Sequence, residues 1–194
     1  VCNVEQDIMG LTPEITSTFP GEVIAILEPR GTGVNAPALH LGKHDVQRVG
    51  SLMGLTLPLL WLNDLRHAIV HLRGLPRCAE IPLYLYGHGD AGVACLYHAI
   101  LNEEIAGVFL VDPPDSHLTG GPLPAILREM DITDAVGLMA PRPVGISTRN
   151  RGGYWYGLRW GHRVYHRLGL PERHALGYTI ADVRDVVLQA HSRM

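Results

Sequence analysis

The sequence predicts an α/β fold in which a parallel sheet of four to five strands carries helices on both faces. Short apolar runs alternate along the chain with longer segments of helical periodicity, and this alternation is typical of parallel sheets. Hydrophobic residues make up 46% of the 194 residues and charged residues 18%, so the chain can bury a substantial core. This length suits one domain over residues 1–194, with an irregular lead-in at residues 1–20.

Four short apolar segments are predicted as the strands. The first, residues 22–28, is an apolar run between Pro20-Gly21 and Pro29, which is the pattern of a buried strand. Strands are predicted over residues 22–28, 81–86, 107–111 and 143–147. Folds of this kind place their sites at the carboxyl ends of strands, so we expect the functional residues in the loops that follow.

Six segments are predicted as helices. Residues 57–73 carry apolar side chains at helical spacing, and Gly74 and Pro76 end that pattern. Asp131 is expected to cap a short helix, and Asp90 to cap a longer one. Helices are predicted over residues 57–73, 91–102, 122–130, 132–139, 154–168 and 182–191.

Charge and cysteine content exclude several classes of protein. The formal charge is −3, from 16 basic and 19 acidic residues, which excludes a protein held on nucleic acid by bulk positive charge. No apolar run reaches ~18 residues, so no membrane-spanning helix is predicted. Cys2, Cys78 and Cys95 are too few and too scattered for a disulfide framework or a cysteine-based zinc site. No cofactor is therefore expected, and neither is a nucleic-acid or membrane partner.

Histidine is abundant, with eleven residues. Three pairs have the i, i+4 spacing that places both rings on one face of a helix, as zinc sites require. The pairs are His40/His44, His67/His71 and His162/His166. None has the H-E-x-x-H glutamate or an evident third ligand, so we expect solvent-exposed helix faces and no tightly bound metal.

The loop after residues 81–86 has the setting of a nucleophile elbow. It reads Gly87-His88-Gly89-Asp90-Ala91-Gly92 and lies between a predicted strand and a predicted helix. An elbow of the G-x-S-x-G type needs small neighbours, because its central residue has a strained backbone. Gly89 occupies the central position and has no side chain that could attack a substrate.

Two other loops contain candidate site residues. Asp112-Pro113-Pro114-Asp115-Ser116-His117 follows the third predicted strand, where Asp112 is a candidate catalytic acid and Ser116 a candidate nucleophile with His117 beside it. A rigid turn is the alternative for this loop. Arg30 leads a Gly-Thr-Gly loop that could approach a carboxylate or a sugar, although a structural arginine is the alternative there.

Four motifs together resemble a known superfamily. They are Arg30-Gly31-Thr32-Gly33, the stretch 51–55, the turn 87–92 and Ala140-Pro141-Arg142-Pro143. In this order and spacing they resemble the α/β-hydrolase superfamily, and most of all the degenerate second half of two-domain acetylxylan-esterase-like proteins. The resemblance implies a carboxylic-ester hydrolase-like domain acting on a small ester or acetylated carbohydrate, in a secreted or periplasmic setting.

The departures from that family pattern concern the catalytic set. The elbow serine is replaced by Gly89, and the stretch 147–150, where members place an aspartate, contains no carboxylate. The closing histidine has no clear counterpart, since His174 lies in a different setting. Three hypotheses therefore stay open: an accessory domain that has lost its nucleophile, an active hydrolase with an atypical set from His88, Asp90, Asp112, Ser116 and His117, or a non-enzymatic binding module.

The resemblance also implies that the sheet is incomplete. Residues 1–20 contain too many glycine and proline breaks to supply the strands that precede the Arg30 loop in such folds. Either residues 22–28 pair directly with residues 81–86, or an upstream segment or partner chain completes the sheet. We favour the second alternative, because an unpaired strand edge is costly.

Overall fold

The structure, a computed structural model, contains a four-stranded parallel sheet. It describes Pro13 and residues 15–33, 43–149 and 154–191. The strands lie side by side in chain order, each parallel to the next. They are β1 (Leu83–His88), β2 (Ile105–Val111), β3 (Val144–Ser147) and β4 (His174–Gly177). The predicted α/β class is therefore confirmed.

Helices connect and cover the strands. In chain order they are α1 (Lys43–Leu52), α2 (Leu57–Arg73), α3 (Gly89–Leu101), α4 (Ile132–Leu138), α5 (Tyr154–Arg167) and α6 (Ile180–His191). Asp131 caps α4 as predicted, through a capping box in which Asp134 accepts a hydrogen bond from the Asp131 backbone N–H. Within the described ranges, no helix is long and apolar enough to cross a membrane.

The core lies on both faces of the sheet, because successive side chains of a strand point in opposite directions. On one face, Leu85, Val108 and Ile146 belong to the larger buried cluster, which α3, α4 and α5 complete. On the other face, Phe109 packs with Val183 and Val187 of α6. The carboxyl ends of the four strands meet at one edge, so the loops after His88, Val111, Ser147 and Gly177 lie beside one another.

Two predicted elements are absent. Residues 22–28 form neither a strand nor a helix, and Val23 is 70% exposed. An apolar run favours an extended backbone, but a strand exists only where a neighbour completes its hydrogen bonds. The predicted helix over residues 122–130 is reduced to a single helical turn, Ile126–Arg128, because Pro122 and Pro124 remove backbone donors from its first half.

Several observed elements lie where the sequence predicts neither a helix nor a strand. Residues 15–18 are helical, so the predicted irregular lead-in over residues 1–20 is wrong for this part. α1 precedes the Gly54 turn, and β4 follows the turn at residues 171–173. β4 is four residues long and pairs with β3, with His174 opposite Val144. Its short sequence has little strand character of its own, so its conformation depends on the neighbouring strand. The predicted strand at 81–86 is shifted to Leu83–His88, which carries it directly into the Gly89 turn.

Candidate functional site

The turn from β1 to α3 has the backbone of a tight strand-to-helix elbow. β1 ends at His88, and Gly89 has a φ of 55°, in the left-handed region that glycine adopts without a steric penalty. A Cβ atom on Gly92 would lie 2.7 Å from the carbonyl oxygen of Gly87, so strand and helix pack backbone against backbone. Small residues at 87 and 92 are what permit this close approach.

Asp90 holds a neighbouring loop against the first turn of α3. Its Oδ1 accepts a hydrogen bond of 2.7 Å from the backbone N–H of Gly121. The prediction that Asp90 caps its own helix is wrong, since His88 is the N-cap residue and the cap has no side-chain hydrogen bond. The carboxylate is directed to the 116–121 segment instead, which it fixes over the start of the helix.

His88 and Asp112 face each other at the ends of β1 and β2. Their Nε2 and Oδ2 atoms are 3.7 Å apart, and both side chains are about one-third exposed. Asp112 has a φ of 41°, and its Oδ1 accepts a hydrogen bond of 3.1 Å from the Arg149 N–H. A carboxylate therefore lies beside the end of β3, although the sequence after β3 supplies none.

Ser116 and His117 point to different partners. Ser116 Oγ donates a hydrogen bond of 2.6 Å to Asp131 Oδ2, whereas His117 Nε2 is 2.8 Å from the hydroxyl oxygen of Tyr97. Burial lowers the pKa of His117, although Asp131 and Asp90 act in the opposite direction. Burial would raise the pKa of Asp131, but hydrogen bonds, first that from Ser116, lower it below its ordinary value. The two neighbours do not hydrogen-bond to each other here, and each stabilises a different part of the loop.

Arg30 is paired with an aspartate on α2. Its Nε lies 2.9 and 3.0 Å from the two carboxylate oxygens of Asp64, and its backbone N–H donates to Oδ2 at 3.1 Å. Burial would raise the pKa of Asp64, but the hydrogen bonds from Arg30 lower it. Trp61 Nε1 donates a hydrogen bond of 2.8 Å to the Arg30 carbonyl oxygen. The Arg30 loop is thus anchored to α2, with the Arg30 side chain half exposed.

The structure brings four of the predicted site residues to one place. His88, Gly89, Asp90 and Asp112 lie at the ends of β1 and β2, whereas Ser116 and His117 are directed elsewhere. Sequence reasoning missed the partners that fix these side chains. The missed partners are Asp64, Tyr97, Asp131 as the acceptor for Ser116, and Arg149. Their separations, from 15 to 37 residues, leave no local signal in the sequence.

No cluster that could hold a metal ion is found in the part of the chain that the structure describes. His67 and His71 lie on the exposed face of α2, and the rings of His162 and His166 on α5 are 6.5 Å apart. His40 lies outside the described residues.

Comparison with known proteins identifies the fold. No protein-family model and no curated protein sequence matches this chain. Among solved structures, an acetyl xylan esterase-type protein from Bacteroides fragilis is similar at a TM-score of 0.60 and 13% identity, over 78% of this chain and 45% of that one. A carbohydrate esterase family 15 glucuronoyl esterase from Caldicellulosiruptor kristjansonii is similar at 0.52 and 17% identity, over 84% and 55%. The chain thus spans about half the length of these two proteins, and it shares their fold, a parallel sheet covered by helices.

Proposed function

We propose that this chain is a carboxylic-ester hydrolase-like domain that holds a small ester or an acetylated carbohydrate without forming an acyl-enzyme. The observation that carries the proposal is Gly89, which follows β1 directly, has a φ of 55° and begins α3. An elbow nucleophile occupies this position in α/β-hydrolases. Gly89 keeps the backbone shape of the elbow and lacks a reactive atom, which favours an accessory domain or one of weak activity.

The start of α3 supplies groups that favour a carbonyl oxygen or an anion. The first N–H groups of a helix have no partner within the helix, and the helix dipole adds positive potential there. The Arg30 loop lies nearby, because a Cβ atom added to Gly31 would lie 3.1 Å from Leu57, which packs with Ala91 of α3. Arg30 binds Asp64 through Nε and Nη2, so we assign Nη1 of its half-exposed guanidinium to the ligand.

The same proposal includes a partner for the sheet. β1 pairs with β2 on one side, and no strand among the described residues pairs with its other side. An edge strand is the position at which a further strand can be added to a sheet. We therefore assign this edge to an upstream segment or a partner chain that completes the sheet.

A substitution at Gly89 tests whether the elbow binds the ligand. Gly89→Asn introduces a side chain that tolerates positive φ, so the turn is kept while the space beside the helix start is filled. We expect wild-type protein to bind a short acetylated xylo-oligosaccharide in titration calorimetry, and Gly89→Asn to weaken the affinity by about tenfold or more.

Gly169→Asn is the matched control for this experiment. Gly169 has a φ of 74°, and a Cβ atom added there would have no neighbour within 4 Å, so the same substitution fills no site. A serine-directed phosphonate should leave the wild-type protein unlabelled, as judged by intact mass. Equal binding by Gly89→Asn and wild type, or a stoichiometric adduct on Ser116, would contradict the proposal.

A second candidate function is direct hydrolysis with an atypical catalytic set. The 3.7 Å approach of His88 and Asp112 favours it, because a histidine oriented by a carboxylate can remove a proton from water. The resulting hydroxide would then attack the ester carbonyl carbon, and the protonated His88 would return the proton to the departing alkoxide. The carboxylic acid and the alcohol are thus released with no covalent enzyme intermediate. The divergent partners of Ser116 and His117 argue against the version in which Ser116 is the nucleophile.

His88→Gln and Asp112→Asn distinguish this second candidate from an accessory role. If it is correct, both variants lower the hydrolysis of an aryl acetate by about 100-fold or more, the contribution of a general base, and Ser116→Ala leaves it unchanged. Hydrolysis at the uncatalysed rate by wild-type protein eliminates this candidate. Binding of a protein partner with no affinity for esters would favour a non-enzymatic module over both.

A further inference from the structure

Charge is distributed unevenly along this chain. Residues 135–171 contain six arginines and no aspartate or glutamate. The remaining residues hold the other ten basic side chains and all 19 acidic ones, a formal charge of −9. One basic segment thus lies within an otherwise acidic protein, and charge segregation of this kind indicates an electrostatic binding surface.

The exposed face of α5 displays part of this charge. Gly161 and Tyr165 are buried, with Gly161 against Val136 of α4. The opposite side of the helix presents Trp160, Arg163, His166 and Arg167, which we call the α5 face. All four are exposed, and Trp160 is 49% exposed.

Two features make the α5 face a preformed surface for an anion beside a flat apolar group. The guanidinium carbon of Arg163 lies 5.5 Å from the ring centre of Trp160, so the arginine is held over the indole by a cation–π contact. The ion pairs between described residues involve Arg30, Arg73, His88 and Arg184, and none involves Arg163 or Arg167. Both guanidinium groups therefore carry charge that no described carboxylate neutralises.

We propose that the α5 face binds a carbohydrate chain that carries uronic-acid carboxylates. An exposed indole packs against the C–H face of a sugar ring, and the planar fork of an arginine binds a carboxylate in bidentate fashion. Single-stranded nucleic acid is a less favoured ligand, because the proteins that bind it use successive aromatic side chains and extended positive grooves. The α5 face has a single indole, Trp160, which suits one sugar ring better than a run of stacked bases. This inference does not depend on the proposed function at Gly89.

Binding to a matched pair of oligosaccharides tests the inference. Tetragalacturonate and its fully methyl-esterified form differ in the charge of their carboxyl groups, so their comparison isolates the contribution of the carboxylates. We expect titration calorimetry to detect binding of tetragalacturonate by the full chain and about tenfold weaker binding, or none, of the ester. We also expect Arg163→Gln/Arg167→Gln to weaken the binding of tetragalacturonate about tenfold, and Trp160→Ala to weaken it as well.

Arg66→Gln/Arg77→Gln serves as the control, because it removes the same charge from exposed positions on α2 and the turn after it. This control should bind within about twofold of wild type. All substituted residues are exposed, so the variants should fold, and their thermal unfolding is measured alongside. Any one of four results would overturn the inference. They are equal affinity of wild type and Arg163→Gln/Arg167→Gln for tetragalacturonate, an equal loss of affinity in the control, no binding by wild type, and tighter binding of a tetranucleotide than of tetragalacturonate.

Discussion

Gly92→Ala is expected to lower the free energy of unfolding by about 3 kcal/mol, the upper part of the range for overpacked interiors. The added Cβ would lie 2.7 Å from the carbonyl oxygen of Gly87 and 3.2 Å from its carbonyl carbon. Both are backbone atoms of β1, so no side chain can rotate away to relieve the overlap. Alanine favours helix over glycine by about 1 kcal/mol, which is too little to offset this cost.

The substitution should disturb the packing of α3 beyond residue 92. To make room, α3 must move away from β1, and the side chains of Ala91, Cys95 and Leu96, all fully buried, move with it. Urea unfolding followed by circular dichroism measures the change. Gly74→Ala is a suitable control, because Gly74 has a φ of −72° and the nearest atom to its Cβ would be 3.3 Å away, so we expect a change within about 1 kcal/mol. A loss of less than about 1 kcal/mol in Gly92→Ala would show that the two glycines do not fix the elbow.

The second large effect is a dependence of stability on pH that originates at His174. This residue begins β4 and is 5% exposed, and its ring lies 5.3 Å from that of His162 and 5.5 Å from that of Tyr165. Neither of its ring nitrogens has a hydrogen-bond partner among the described residues. Burial lowers the pKa of His174 to about 4 from an ordinary value of 6.5, and the nearby His162 acts in the same direction.

The direction of this pH dependence follows from whether the folded or the unfolded chain binds the proton. Between pH 6.5 and about 4, the unfolded chain protonates this histidine and the folded chain does not, so the free energy of unfolding falls as the pH falls through that window. The whole shift corresponds to about 3 kcal/mol, which is present above pH 6.5 and lost by about pH 4. His174→Leu removes the titrating group, so we expect the variant to lose about 3 kcal/mol less than wild type on acidification.

Urea unfolding of both proteins near pH 7 and about pH 4 measures this difference. His174→Leu should also be at least as stable as wild type at neutral pH, because two buried nitrogens without partners are replaced by an apolar group. The same substitution at His67, on the exposed face of α2, controls for the loss of a histidine. If wild type and His174→Leu lose equal stability on acidification, His174 is not the group responsible.

Part of the candidate site could be predicted from the sequence because its backbone requirements are local. Glycines at 87, 89 and 92 between an apolar run and a helical pattern predict a tight strand-to-helix turn, and Gly89 has the positive φ that such a turn requires. Asp112 is a candidate acid on sequence grounds, and it does face His88. The side-chain partners could not be predicted, since the Arg30–Asp64 and His117–Tyr97 contacts join residues 34 and 20 positions apart.

The sequence by itself determined the elements whose stability comes from their own residues. Helical periodicity and breakers define the extent of α2, Asp131 caps α4, and the apolar runs at β2 and β3 indicate strands. Propensity, capping and burial pattern act over a few neighbours, so the sequence alone shows them. Only the tertiary structure decided that His174–Gly177 is a strand, that residues 22–28 are not, and that Asp90 binds Gly121 rather than its own helix. For β4 and Asp90 the deciding hydrogen bonds come from residues distant in the chain, and they exist only once the sheet and its loops have assembled. Residues 22–28 are not a strand because the assembled sheet does not pair with them.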